Sequence, residues 1–270
     1  MMREALFRRT GFAVPEPFAE IATLFAQRAS GIAEGLELLE HTLELRICHC
    51  FDDRYETMPI EFFPLLDTGG DGHCFGYAIH APELQPHDYP MGSMVPGERD
   101  GVISAGNTTP SAIENMISYM RDRPDGFADI DLAWLATIGL VPEPAKARQV
   151  HQLVGDAWCR PSPAIPDGWR HVMTSDGIGV VAPVSTFNPN GTEPLPRDAS
   201  LARYMAAADT ETAAGHDGSA LCYLKDAWWW RYFSPREEVR QVRDRLVRTY
   251  EVLGKTLLAD TMSKYFAWLS

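Results

Sequence analysis

The sequence predicts an α+β fold, in which a mostly antiparallel sheet is flanked by helices and followed by a largely helical C-terminal part. Strand-like segments between positions 45 and 106 follow one another through short turns, with no helix between them, which favours antiparallel pairing. Helical periodicity precedes and follows this stretch and dominates the C-terminal end. The 270 residues, 45% of them apolar, suffice for one large domain or two modest ones.

The first predicted element is a long amphipathic helix. Apolar residues recur at steps of three and four from Phe18 to Leu43, which is the spacing of one helical face. Gly31 and Gly35 weaken this helix, and they predict that it divides in two. The alternating segment at residues 45–51 then predicts the first strand.

Four further segments complete the predicted sheet. Residues 59–66 form a strand whose two prolines favour an edge or a bulge. From His73 to Ile79, bulky and small side chains alternate, which predicts a central strand with a helix packed close against it. The segments "DYPMGSMV" and "DGVISAG" predict two shorter strands, separated by a turn at Pro96 and Gly97.

Thr109 is expected to cap the next helix, with Pro110 at its first position. The segments "DIDLAWLATIGL" and "PAKARQVHQLVGDAWC" are also helical in pattern, and "WRHVMTSDGIGVVAP" predicts a hairpin around its Ser-Asp-Gly. We therefore predict an α+β domain at residues 1–125, and a mixed middle segment with a helical C-terminal domain at residues 126–270.

The last long helix is expected to begin with a capping box. Ser234, Pro235 and Glu237 have the spacing of that motif. An apolar seam then follows from Val239 to Leu253, which predicts that one face of this helix is buried.

Charge and composition exclude several classes of function. With 24 basic and 37 acidic residues the net charge is −13, which argues against binding to nucleic acid. No stretch approaches the roughly 18 apolar residues of a membrane span, and no signal peptide is recognisable. Five cysteines fit reduced thiols, and no phosphate-binding or dinucleotide-binding glycine motif is present. We expect a cytoplasmic protein without cofactors.

The segment "DTGGDGHCFGYAIH" at residues 67–80 raises the question of thiol chemistry. It resembles the nucleophile segment of ovarian-tumour-type cysteine proteases, Asp-Gly-x-Cys-(Leu/Phe)-x-x-Ala, in which Cys74 would attack and a histidine would accept its proton. In that family the cysteine begins a helix, whereas the alternation here predicts a strand. His151, His171 and His216 lie in no recognisable catalytic context. The hydrolase is therefore the alternative function.

Metal binding is not predicted. The ligands available for zinc are Cys48, Cys50, His73 and Cys74. Cysteines one residue apart do not form the knuckle that surrounds a tetrahedral ion. A calcium loop drawn through this segment lacks oxygen ligands at Gly69 and Ala78.

A second resemblance covers a longer part of the chain. It rests on the order of elements, which is helix, strand, glycine turn, strand and helix, and on small and apolar residues at particular positions. These residues are Pro59, Ile60, Phe63, Pro64, Gly69, Gly70, Asp71, Gly72, Phe75 and Tyr77. In these features the chain from Phe18 to Met120 resembles the SUKH superfamily, which includes bacterial immunity proteins and the fungal Smi/Knr cell-wall regulators. The resemblance implies an α+β module that recognises other proteins, often neutralising a toxin, with no catalytic residues.

We therefore expect a non-enzymatic protein-binding module of the bacterial immunity type, whose partner is a protein such as a basic toxin domain. The residues expected to bind from exposed loops are Asp67, Asp71, His73, Tyr89, Glu98 and Asp100. Trp228, Trp229 and Trp230 are added because consecutive helical residues project about 100° apart, so one buried stripe cannot hold all three. A homo-oligomer joined along this tryptophan-bearing helix is a further possibility.

Overall fold

A five-stranded antiparallel sheet confirms the α+β class. The computed structural model describes residues 1–70, 72–98, 100–121, 131–142 and 165–267, except the side chains of residues 120 and 121. The strands pair in sequence order, each antiparallel to the next. They are β1 (Arg46–Ile47), β2 (Phe62–Asp67), β3 (Cys74–Ala78), β4 (Met91–Met94) and β5 (Ile103–Gly106).

Three helices precede the sheet: α1 (Met2–Thr10), α2 (Glu16–Arg28) and α3 (Ile32–Leu43). The predicted division of the long helix near Gly31 is confirmed. Gly35 also allows α2 and α3 to pack closely, because a Cβ atom there would lie 2.4 Å from the Cα of Ala26.

The strand predicted at residues 45–51 is much shorter in the structure. It ends at Ile47, and although the Cys48 amide still donates to the Leu65 carbonyl of β2 at 3.0 Å, the next two amides turn to other partners. The amide of His49 donates to the Asp53 carboxylate at 2.7 Å, and that of Cys50 donates to the Thr10 carbonyl at 2.7 Å. The chain therefore leaves the sheet after two paired residues.

Strand β3 separates the two faces of the sheet, as its alternating side chains predict. Phe75 and Tyr77 point into the main core, whereas Cys74 and Ala78 belong to a second cluster on the opposite face. At Gly76 a Cβ atom would lie 2.2 Å from the carbonyl oxygen of Phe63. The strand can approach β2 this closely only without a side chain at that position.

Helix α4 (Thr109–Arg121) follows the sheet and packs with α2 and α3. The expected cap is wrong by one residue. The amide of Ser111 donates to the Thr108 hydroxyl at 3.4 Å, and the amide of Thr108 donates to the Ser111 hydroxyl at 3.2 Å. Thr109 instead donates from its hydroxyl to Asp88 at 2.6 Å.

Helix α5 (Leu132–Thr137) is the described part of the next predicted helix, and "PAKARQVHQLVGDAWC" lies outside the described residues.

The C-terminal part contains the predicted hairpin and then helices. The hairpin is β6 (Trp169–Val172) and β7 (Val180–Pro183), and the helices are α6 (Leu201–Ala213), α7 (Asp217–Trp230), α8 (Arg236–Val252) and α9 (Thr256–Tyr265). The expected capping box is wrong, because α8 begins after Pro235 with no side-chain cap hydrogen bond. Its seam of Val242, Leu246 and Tyr250 is buried as predicted.

The C-terminal part covers the second face of the sheet. The cluster there combines Met58, Phe62, Cys74, Ala78, Met94 and Val102 with Ile178 of the hairpin and Trp229 of α7. The two predicted domains therefore meet across an apolar contact, and the boundary at residue 125 stays a prediction. In the described part of the chain, no helix combines the length and apolar character needed to cross a bilayer.

Candidate functional site

Two cavities flank the loop between β4 and β5. This loop turns sharply at Gly97 and Gly101, whose φ angles of 96° and 78° lie in the left-handed region that glycine adopts readily. Glu98, which is exposed, lines both cavities. The smaller cavity, between the sheet and α4, is here called the acidic pocket, and the larger, beside the α7–α8 connection, the aromatic groove.

The acidic pocket has a volume of about 150 Å³. Its floor is largely apolar, with Phe75 of β3, Ile103 of β5 and Met116 of α4. Its mouth carries His73, Glu98 and Asp100, and the His73 ring lies over Phe75 with 4.6 Å between ring centroids. The pocket thus has an apolar interior and a polar, acidic entrance.

Glu98 and Asp100 are exposed carboxylates, and neither side chain has an ion pair or hydrogen bond within the described structure. Other acidic residues of the chain are paired, such as Glu40 with Arg9 and Asp209 with Arg245. The entrance of the acidic pocket therefore carries negative charge that no cation among the described residues neutralises.

The aromatic groove has a volume of about 840 Å³. It lies between residues 55–57, the β4–β5 loop and the short 3₁₀ turn Arg231–Phe233 that joins α7 to α8. Trp228 and Trp229 line its inner side, while Tyr232 and Phe233 line its outer side and are 67% and 85% exposed. It is therefore an aromatic surface that is only partly covered.

Arg231 lies inside this groove. Its guanidinium carbon is 3.7 Å from the centroid of the Trp228 ring, and it donates to the backbone carbonyls of Trp228 and Glu56. Burial lowers the pKa of Arg231 to about 9 against the opposing effect of Glu56, so the group is still charged at neutral pH. Among the described residues it has no carboxylate ion pair.

Three hydrogen-bonding groups on residues that line the groove have no partner in the described part of the chain. They are the indole Nε1 atoms of Trp228 and Trp229 and the hydroxyl of Thr57, all of them buried. The two tryptophans are 3% and 8% exposed. Buried polar groups without a partner are rare in folded proteins, so their concentration here is informative.

The structure brings together only some of the residues expected to bind. His73, Glu98 and Asp100 meet at the acidic pocket, and Trp228 and Trp229 meet at the groove.

The expected exposure of Asp67 is wrong. Strand β2 extends through this residue, and its carboxylate is buried against the Arg46 guanidinium at 2.8 Å. Tyr89 and Trp230 are half-buried and pack against the main core, and Asp71 lies outside the described residues.

Cys74 lies at the beginning of β3, in the extended segment that the sequence predicts, and is 2% exposed. Its Sγ donates to the carbonyl of Gly72 at 3.0 Å. The protease interpretation requires the nucleophile to lie at a helix N-terminus, whereas this thiol lies in a strand.

A separate group of potential metal ligands is formed by Cys48, Asp53 and Asp67, whose ligand atoms lie within 4.8 Å of one another. Arg46 is 2.8 Å from Asp67 and 3.6 Å from Asp53. The guanidinium already provides the positive charge that these carboxylates attract, so the arrangement is an ion pair and not a built metal site.

Sequence reasoning missed a buried ionic cluster, consisting of Glu61, Asp176, Lys225 and Tyr250. The Lys225 ammonium lies 2.9 Å from Asp176, and the Tyr250 hydroxyl donates to Glu61 at 2.7 Å. The adjoining void of about 10 Å³ has room for about one water molecule. In the sequence, Glu61 and Lys225 are charged residues within apolar segments, and this pattern could have indicated that they are buried and paired.

A scan against protein-family models and a search of curated proteins both found no match to this chain.

Proposed function

We propose that this chain is a non-enzymatic protein-binding module of the bacterial immunity type, which recognises a basic protein such as a toxin domain in the cytoplasm. One observation carries the proposal. The exposed carboxylates of Glu98 and Asp100, which have no ion pair within the described residues, stand at the mouth of an apolar pocket.

The acidic pocket suits a single basic side chain of a partner. Lysine and arginine have an apolar stem and a charged head, and they bury the stem readily while the head stays at a polar surface. In a pocket of about 150 Å³, the stem would lie against Phe75 and Met116. The head would reach Glu98 and Asp100 at the entrance.

Two further properties support protein binding: the net charge, which acts at long range, and an exposed aromatic surface, which acts on contact. A net charge of −13 attracts a basic protein during diffusion and raises the rate of association. Tyr232 and Phe233 lie on the neighbouring groove, and aromatic side chains are frequent at the energetic centres of protein interfaces. The order of elements, which resembles that of the SUKH superfamily, agrees with a binding module.

The proposal expects a basic toxin domain to be encoded beside this chain in its source genome, and that domain is the partner in the test. We expect co-expression with this chain to restore growth and the two proteins to co-purify. The double variant Glu98→Lys/Asp100→Lys should weaken association at least tenfold, measured by calorimetry, and should abolish protection. Normal growth of cells that express the toxin domain alone would contradict the immunity role.

The matched control is Glu37→Lys/Asp260→Lys. It changes the net charge by the same amount at exposed positions outside the acidic pocket. We expect this variant to bind within about threefold of the native protein at physiological salt. Equal weakening by both double variants would show that only overall charge matters and would contradict a role for the pocket.

A homo-oligomer is the competing possibility. In that case the mass measured by light scattering would rise with protein concentration and would fall in a Tyr232→Ala/Phe233→Ala variant. We expect a constant monomer mass.

A further inference from the structure

We propose that the aromatic groove is a second binding site, which takes a small planar aromatic anion. The inference concerns a different cavity from the acidic pocket, although Glu98 lines both and Tyr232 and Phe233 also support the proposed function. It follows from the size of the groove, from its aromatic surfaces, and from the charge and hydrogen-bonding groups that line it.

The groove has the dimensions and surfaces of a small-molecule site. Ligand sites in proteins commonly have volumes of about 300–1,000 Å³ and aromatic walls, and this groove has about 840 Å³. The exposed rings of Tyr232 and Phe233 offer faces and edges on which a planar ring can stack. The high exposure of Phe233, 85%, is unusual for a phenylalanine and is relieved by a ligand that covers it.

The arginines that line the groove favour an anionic ligand. Arg231 lines the groove, where it donates to two backbone carbonyls and its guanidinium lies over the Trp228 and Phe266 rings, without a carboxylate ion pair among the described residues. Several other arginines of this acidic chain form ion pairs with carboxylates, as Arg245 does with Asp209. A partly buried cation that makes no direct ion pair is stabilised further when an anion binds beside it.

Two further features of the groove add positive potential. Arg236 also lines it, and this exposed residue is the first of α8. The N-terminus of α8, which has no side-chain cap hydrogen bond, is the positive end of the helix dipole. The carboxylates of the groove, Glu56 and Glu98, lie on exposed positions at its rim.

Unsatisfied hydrogen-bond donors indicate the same ligand. The indole Nε1 groups of Trp228 and Trp229 can only donate, and each is buried without an acceptor in the described structure. The Thr57 hydroxyl, equally without a partner there, can also donate. A carboxylate, sulfonate or phosphate group carries the acceptor atoms that such a set of donors and arginines requires.

The test compares three naphthalene probes of the same shape, using isothermal titration calorimetry on the full chain. They are 2-naphthoate, the neutral 2-naphthalenemethanol and the cationic 2-naphthylmethylammonium. We expect the anion to bind at least tenfold more tightly than the neutral probe and the cation to bind most weakly. 2-Naphthyl phosphate is a fourth probe, which keeps the same ring and so separates recognition of a phosphate from recognition of a carboxylate.

Variants locate the site. Phe233→Ala and Arg236→Gln alter exposed groove residues, so the fold should be kept, and each should weaken binding of 2-naphthoate at least fivefold. The matched controls Phe7→Ala and Arg248→Gln alter an exposed phenylalanine and an exposed arginine outside the groove and should leave binding unchanged.

Equal affinity for the first three probes would show nonspecific adsorption to aromatic surface and would overturn the inference. Unchanged binding in both groove variants would overturn it as well. Neither result would affect the protein-partner assay, which depends on Glu98 and Asp100.

Discussion

The ammonium group of Lys225 lies 2.5 Å from a carboxylate oxygen of Glu61, and the two side chains are only 2% and 3% exposed. Lys225 also pairs with Asp176, so one cation joins helix α7 to the segment before β2 and to the hairpin turn. Burial alone would lower the pKa of Lys225, but Asp176 and Glu61 together raise it. The lysine is therefore charged at neutral pH.

Replacing this lysine should destabilise the protein severely. Lys225→Met keeps most of the side-chain volume but leaves two buried carboxylates without their cation. We expect the free energy of unfolding to fall by about 3–5 kcal/mol, measured by urea denaturation at pH 7. The triple variant Lys225→Met/Glu61→Gln/Asp176→Asn should recover part of this loss, because no buried charge remains unpaired.

The control for this prediction is the surface pair of Arg240 and Glu237, at 2.8 Å. Arg240→Met should change stability by less than about 1 kcal/mol, as exposed ion pairs contribute little. A similar small effect of Lys225→Met would contradict the importance of the buried ionic cluster.

Asp226 should make stability depend on pH. Burial raises the pKa of this carboxyl from 3.8 to about 6, partly opposed by the amide of Ser175, which donates to it at 2.7 Å. Because the pKa in the folded state is the higher one, protonation favours folding. The stabilisation is therefore complete below about pH 4 and is lost as the pH rises through 6.

The variant Asp226→Asn should remove this dependence. We expect it to match the native protein near pH 4 and to be more stable by about 2–3 kcal/mol at pH 7.5, measured by urea denaturation at both values. The opposite control is Asp209→Asn, because the hydrogen bond from Arg245 lowers the pKa of that carboxyl. This second variant should lose stability at pH 7.5 and differ little at low pH.

Cys74 should react slowly with alkylating agents. Its thiol is buried in β3, where it donates to the Gly72 carbonyl. We expect labelling by iodoacetamide at pH 7.5 to be at least about 100-fold slower in the native protein than in urea, as measured by peptide mass spectrometry.

Cys48 is the internal reference for that experiment, since it is 1% exposed and burial raises its pKa. Both thiols should be protected to a similar degree. Rapid labelling of Cys74 alone, accompanied by loss of a hydrolytic activity in Cys74→Ala, would instead support the cysteine hydrolase.

Gly76 should tolerate no side chain. In Gly76→Ala the new methyl group would lie 2.2 Å from the Phe63 carbonyl oxygen, so β2 and β3 would have to separate. We expect a loss of about 2–3 kcal/mol in urea denaturation. Gly70→Ala, where a Cβ atom has no neighbour within 4 Å, should change stability by no more than about 0.5 kcal/mol.

Local patterns were enough to predict much of the fold. The alternation along β3 correctly assigned Phe75 and Cys74 to opposite faces, because side-chain direction in a strand depends only on sequence parity. The end of β1 and the start of α8 were predicted wrongly, since the partners of terminal amides are set by distant residues. Asp53 and Thr10, which accept hydrogen bonds just after β1, are examples of this.

Less of the candidate site than of the fold could be predicted from the sequence. Turn composition drew attention to His73, Glu98 and Asp100, but nothing local shows that they share a pocket with Met116 of α4. Asp67 has the same local appearance as Asp100, yet Arg46 on the neighbouring strand buries it. Ion pairs between residues distant in sequence are decided by tertiary packing, and a single sequence does not contain that information directly.

The second face of the sheet has a consequence for synthesis on the ribosome. Strand β5 ends at Gly106, whereas Ile178 and Trp229, which close that face, are made later. At typical elongation rates, Trp229 emerges roughly 6–25 s after the sheet has been completed. A nascent chain of this protein therefore presents a bare apolar surface for seconds, and it is during this interval that chaperones would be expected to bind it.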